Sequence, residues 1–147
     1  MNNIESPRTD DNAIEQEIQA KGLTAPRVTP ADIEENIASE HYFTAAQGAS
    51  AQMVDVTSLA NADAYLKAVN NSIKSPAALN LLTFCVLVLK NGFTVTGESA
   101  CASPENFDAE IGRKIALENA KQKIWPLMGY QLKEELYQAT QPAQAPV

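Results

Sequence analysis

The chain has 147 residues, 45% of them hydrophobic, and a formal net charge of -7. That is enough for one domain with a modest core, and no apolar run approaches the roughly 18 residues of a membrane span. The charge is uneven: residues 1–40 hold three basic and nine acidic side chains, residues 41–147 eight and nine. The acidity belongs to an N-terminal arm. The nearly neutral body argues against duplex nucleic acid as a partner.

The first segment, MNNIESPRTDD, lacks the basic and apolar regions of a signal peptide, so a cytosolic protein is expected. Residues 1–27 read as a flexible acidic arm in which DDNAIEQEIQAKGL forms at most a short helix stopped at Gly22. TPADIEENIASEHYF predicts a helix with Thr29 as N-cap, Pro30 at the first position, and Ile33 and Ile37 toward the core. TAAQGAS reads as a loop of small residues and AQMVDVT as a short edge strand. SLANADAYLKAVNNSI reads as a helix with Leu59, Ala62, Leu66 and Val69 on one side.

Next comes LLTFCVLVLK, then Asn91-Gly92, then FTVTGES. Asn-Gly between two such runs is a strong hairpin signal, because a type I′ turn needs positive φ at both central positions. A two-residue turn pairs Lys90 with Phe93, Val88 with Val95 and Phe84 with Ser99. Phe84, Val86, Val88, Phe93 and Val95 then form the core face. Cys85, Leu87 and Leu89 fall on a second, half-apolar face that needs a cover from this chain or another, so they are the expected interface. The same register sends Cys85 and Cys101 to opposite faces, which disfavours a disulfide.

SPENFDAEIGRKIALENAKQKIW predicts a central helix from Ser103-Pro104 to Trp125, stopped by Pro126. Its wheel places Glu110, Lys114, Glu118 and Lys121 in a charged stripe. Ile111 and Ile115 occupy one apolar sector, and Ala109, Ala116, Leu117, Ala120 and Ile124 another. Gly112 and the alanines permit close approach of a sheet. Arg113 lies within the apolar arc. Its stem either covers that face or holds a guanidinium ready for a carboxylate or phosphate. Beyond Gly129, Leu132, Leu136 and Tyr137 suggest a last amphipathic helix.

The expected class is therefore α+β: a small antiparallel sheet built on a hairpin (81–90 and 93–100), packed against a central helix (104–125) with flanking helices. The expected organisation is the arm 1–27, one domain over 28–138 with 44–81 as a candidate insertion, and a disordered tail 139–147.

Catalytic motifs are absent. No phosphate loop or nucleophile elbow occurs, and one histidine with two cysteines makes a poor metal set. No catalytic residue, metal or cofactor is expected. The polar residues near the sheet–helix junction, Glu98, Asn106 and Arg113, are left without a folding role. Lys123, Phe93 and Trp125 add a cation and two rings, so these six are the candidate ligand-binding set.

VTPADIEENIASEHYF, LTFCVLVLKNGFTVTGESACASPENFDAEIGRKIALENA and KIWPLMGYQL together resemble a family of small tailed-phage proteins. The family is named after gene product 49 of coliphage N-four and gene product 66 of Shigella phage Sf-six. The resemblance implies a phage origin and expression in the host bacterial cytoplasm, and it carries no catalytic residues across. The leading expectation is a non-catalytic accessory protein acting by binding, in host takeover or counter-defence. It would inhibit a host protein or sequester a small nucleotide signal, as a homo-oligomer. The alternative is a single-stranded nucleic-acid or replication accessory protein; a small hydrolase with a dispersed site is a third class.

Overall fold

A computed structural model describes residues 10–52 and 76–143. The fold is mixed α+β, with a three-stranded antiparallel sheet and several helices. The chain divides into two compact units. One is Ile37–Lys123; the other joins the chain up to Asn36 with the chain from Ile124 onward.

In the second of these units, α1 (Asp11–Ala20) starts at Asp10, whose side chain accepts from the Asn12 amide at 3.0 Å. It stops where Gly22 takes φ +66°, a conformation that favours glycine. Within the arm Arg27 makes a two-pronged ion pair with Glu15, Nη2 reaching Oε1 at 2.6 Å. Helix α2 (Pro30–Glu35) carries a full capping box: the Thr29 hydroxyl accepts from the Asp32 amide, and the Asp32 carboxylate accepts from the Thr29 amide. Ile33 is buried.

The helix expected to run on through His41 ends at Glu35. Residues Ile37–Thr44 form strand β1 instead. IASEHYFT places Ile37, Ser39 and Tyr42 at positions with sheet neighbours, and pairing with an apolar strand outweighs weak helix propensity. The expected loop TAAQGAS is also corrected. It opens α3 (Ala45–Gln52), capped by a second reciprocal pair: the Gln47 amide donates to the Thr44 hydroxyl at 3.2 Å, and the Thr44 amide to Gln47 Oε1 at 2.9 Å. Of the strand expected at AQMVDVT, only Ala51 and Gln52 are described, and they are helical. The rest of it and the helix expected in SLANADAYLKAVNNSI lie outside the described residues.

A short 3-10 helix (Ala77–Leu81) leads into β2 (Leu82–Leu89), and β3 (Thr94–Ala100) follows. The strand order is β1-β2-β3, so β2 is central. The hairpin is present, but its register differs by one residue from the expected one: Val88 faces Thr94, Leu87 faces Val95 and Phe84 faces Glu98. The loop has three residues, not two. The Gly92 amide donates to the Leu89 carbonyl at 2.9 Å, and the Leu89 amide to the Phe93 carbonyl at 2.8 Å. Only Gly92 has positive φ, at +87°; Asn91 does not. This is a type I turn closed by a left-handed glycine, the usual three-residue solution. Asn91 supports it by accepting from the Phe93 amide at 2.9 Å.

A one-residue slip exchanges the two faces of a strand. The core face is thus Thr83, Cys85, Leu87 and Leu89 with Val95 and Gly97. Phe84, Val86 and Val88 are only half-buried, and Phe93 is exposed.

The long helix also departs from expectation. Ser103-Pro104 opens a 3-10 turn (Pro104–Asn106) without a side-chain cap. The α-helix, α4, spans Ala109–Thr140. Its cap is Asp108, which accepts from the Ile111 amide at 2.9 Å. Pro126 lies inside it. Proline removes one backbone donor, a local loss, and good helix formers on both sides, KQK and LKEELYQA, carry the helix past it. Gly129 is helical too, and a Cβ there would meet nothing.

Gly112, Ala116 and Ala120 recur every four residues and are all buried. They form the stripe on which the sheet lies. A Cβ built on Gly97 would stand 2.1 Å from the Ala116 carbonyl oxygen and 2.3 Å from the Ala120 nitrogen. Strand and helix backbones therefore touch directly, which only glycine allows. Ile111 and Ile115, expected in the core, are instead 55% and 42% exposed.

Candidate functional site

One cleft of about 230 Å³ is lined by Tyr42, Phe43, Thr44, Gln47, Thr83, Phe107, Ala109 and Arg113. All belong to the Ile37–Lys123 unit. Strand β1 supplies Tyr42, Phe43 and Thr44, and β2 supplies Thr83 beside Thr44. The chain between the 3-10 turn and α4 supplies Phe107. The first two turns of α4 supply Ala109 and Arg113.

Each side chain has a structural reason to be there. Phe43 and Phe84 stack across the strands, ring centres 5.5 Å apart, and Gly48 lies against the Phe43 ring. Thr83 is 3% exposed, and its hydroxyl lies where a Cβ on Gly112 would approach to 3.0 Å. That puts it against the first turn of α4. Arg113 is exposed and forms no ion pair or hydrogen bond with another described residue. Two helices begin at the cleft wall: α3 through Thr44 and Gln47, α4 through Ala109.

A second polar group lies beneath the helix. Tyr42 and Cys85 share a hydrogen bond, with Glu40 bonded to Tyr42 and Lys121 close by. Burial pushes the Tyr42 phenol well above its ordinary value, helped by Cys85 and Glu40. Burial also pushes the Cys85 thiol up, against the hydrogen bond from Tyr42. A raised thiol pKa means little thiolate, so Cys85 is an inert packing residue. Both cysteines are free.

The residues expected to bind ligand do not converge. Arg113 stands at the cleft, and Asn106, exposed in the 3-10 turn, immediately precedes Phe107. Glu98 is exposed on the face opposite α4, with Thr96 donating to its carboxylate at 3.4 Å, while Asn119 donates to its backbone carbonyl at 2.7 Å. Lys123 donates to Thr96 Oγ1 at 3.5 Å. At the α-helical rise, ten residues separate Arg113 from Lys123 by about 15 Å. Phe93 sits by the hairpin turn, 55% exposed. Trp125 is half-buried and belongs to the other unit.

The expected interface is overturned. Cys85 and Leu87 are 0% exposed and Leu89 is 4% exposed within the chain itself. The register correction is the reason: these residues face α4 and not solvent. The sequence reading missed Tyr42, Phe43, Thr44, Gln47, Thr83 and Phe107 as cleft residues. Four of them lie in segments read as helix tail and loop, and the available signal was the alternation of IASEHYFT.

Among the described residues, no group of three or more His, Cys, Asp or Glu side chains is placed to hold a metal. Ser39 Oγ and His41 Nε2 lie 3.0 Å apart on β1, but neither lines the cleft. Among the described residues no helix is long and apolar enough to cross a membrane.

The model of the phage protein (N4 Gp49/phage Sf6 gene 66) family matches residues 28–136, most of the chain, and the chain belongs to that family. No curated protein and no solved structure matches it significantly.

Proposed function

Starting from membership of this phage family, we propose that the protein is a non-catalytic accessory factor. It works by binding an anionic ligand in the host cytoplasm, to take over the host or blunt its defence. The family places it among small phage proteins. The observation that carries the rest is the cleft itself: Arg113, which forms no ion pair or hydrogen bond with another described residue, lines it together with the aromatic residues Tyr42, Phe43 and Phe107. Arginine is suited to phosphate, and rings to the flat face of a base. No nucleophile–base pair enters the cleft, so the arrangement favours capture over turnover.

A small nucleotide signal is the ligand this chemistry suits best. A cleft of about 230 Å³ is below the ~300–1,000 Å³ of most small-molecule sites. A whole nucleotide would therefore need walls from a second copy, and the working form is a homo-oligomer. The single-stranded nucleic-acid reading is weaker, because it asks for a basic groove and residues 41–147 hold eight basic against nine acidic side chains.

Isothermal titration with nucleotide signals tests this, paired with light scattering for the assembly state. Saturable heat that disappears in Arg113→Gln is the expected result. No heat with any nucleotide contradicts sequestration; recovery of one host protein from infected cells would then favour inhibition of that protein.

A further inference from the structure

We propose that the C-terminal half of α4 carries a docking seam for a second copy of this chain, paired antiparallel through Leu127, Tyr130, Glu134 and Tyr137. This names a surface for the homo-oligomer of the preceding reading, and it does not need the cleft to hold a nucleotide. Residues Pro126–Thr140 continue the α-helix, yet none of them is buried, and only Met128 and Leu132 are half-buried. A helical stretch of this length is marginal in water on its own and draws its stability from a packed face.

Its apolar residues fall into two rows. Ile124, Met128 and Leu132 repeat every four residues and form the buried to half-buried row. The second row has the spacing three, four, three: Leu127, Tyr130, Glu134, Tyr137. Those are the a and d positions of two heptads, the narrow seam along which two helices pair. Leu127, Tyr130 and Tyr137 are 41%, 74% and 53% exposed. Tyrosine is also among the side chains enriched at interfaces and depleted of reasons to stay in water.

Glu134 decides both the occupant and its direction. Its carboxylate accepts from Gln138 Nε2 at 2.8 Å and has acceptor capacity to spare. A parallel second copy would set Glu134 against the partner's Glu134, like charges in one layer. An antiparallel copy sets a positions against d positions. Tyr130 then meets the partner's Glu134, and Leu127 the partner's Tyr137, each contact made twice by the two-fold axis. A tyrosine hydroxyl donates to a carboxylate, and leucine packs on a ring. Lys133 comes level with the partner's Gln131, so no like charges oppose each other at the flank. The arm of a second copy fits worse: residues 1–40 hold three basic and nine acidic side chains, which would bring carboxylates to Glu134. At these exposures the three apolar side chains offer about 300 Å² per copy, below the ~800 Å² per partner of a standard interface. The seam therefore makes a concentration-dependent dimer and not a permanent one.

The test is sedimentation of the full chain, without ligand, over a wide concentration range. The wild type should pass from monomer to dimer. Tyr130→Glu, at an exposed position, opposes Glu134 of the partner and should weaken the dimer about tenfold or more. Adding Glu134→Lys to it should restore the dimer. Direction is read from disulfide crosslinking in a Cys101→Ser background. Leu127→Cys mixed with Tyr137→Cys should crosslink, while neither does so alone, because ten residues of helix put like positions about 15 Å apart. A monomer at every concentration, or a dimer that Tyr130→Glu leaves unchanged, overturns the seam. Crosslinking of Leu127→Cys with itself overturns the antiparallel pairing. If the chain stays monomeric while a lysine-bearing amphipathic helical peptide shifts the Tyr130 and Tyr137 ring signals, the occupant is a foreign helix and the second copy is wrong. Nucleotide heat from a chain that stays monomeric would leave nucleotide capture standing and remove the seam. A seam dimer that takes up no nucleotide would do the reverse.

Discussion

The two faces of the sheet are built from the same strands and are opposite in character. The face toward α4 is dry, and its closest contact is backbone on backbone, through Gly97 on Ala116 and Ala120. The other face keeps Phe84, Val86 and Val88 half-exposed, with Phe43 37% exposed beside them. Both phenylalanines of the sheet, Phe43 and Phe84, are thus found on the wetter face. Burial here is decided by what can approach closely. A helix with Gly112, Ala116 and Ala120 in a row can lie on a strand that has glycine opposite. It cannot lie on one presenting phenylalanine.

That contrast can be broken in order of severity. Gly97→Ala places a methyl 2.1 Å from a helix carbonyl oxygen, far inside van der Waals contact, and should cost on the order of 4 kcal/mol, read as loss of the cooperative unfolding transition. Leu87→Ala, on the dry face, should cost about 3 kcal/mol in denaturant unfolding, while Val86→Ala next to it should cost about 1 kcal/mol. Equal costs would mean that the faces are not distinct. Asn91→Gly is the finest probe of register. A type I′ turn welcomes glycine at that position, whereas here the change removes the bond to the Phe93 amide and should cost about 1 kcal/mol.

The polar group on the dry face gives a pH test. Tyr42 and Cys85 titrate above their ordinary values of 10.0 and 9.0 in the folded chain. The stability they contribute is full below the ordinary values and falls as pH rises past them, because the unfolded chain ionises first. Alkaline titration should unfold the protein earlier than it unfolds Tyr42→Phe. In the same folded sample a thiol reagent should modify half-buried Cys101 well before Cys85.

Much of this was legible in the sequence where the instruction is local. The Thr29-Pro30 start with Asp32 became a capping box, and Gly22 ended α1. The hairpin and the helix facing it were present, as was the use of Gly112 and the alanines for close approach. The misreadings share one cause: a local signal with two solutions that only tertiary packing separates. Asn91-Gly92 serves a two-residue or a three-residue loop, and the choice reverses the faces. Ser103-Pro104 resembles Thr29-Pro30, but Asn106 stands where Asp32 closes the box, so the helix waits for Asp108. Residues 37–44 satisfy a weak helix pattern and a weak strand pattern, and β2 decides between them. Because β1 was misread, the cleft could not be anticipated beyond Arg113, which was noticed as a cation in an apolar arc.

The hairpin register carries the whole assignment of faces, cleft and buried thiol, so it is the claim to test most directly. Hα–Hα nuclear Overhauser contacts mark the close, non-hydrogen-bonded pairs of an antiparallel ladder. With Leu89 bonded to Phe93, those pairs are Val88–Thr94, Val86–Thr96 and Phe84–Glu98, and these contacts are predicted. Contacts between Leu89 and Thr94 and between Leu87 and Thr96 would instead report the two-residue turn. They would return Cys85, Leu87 and Leu89 to the outer face and contradict the account.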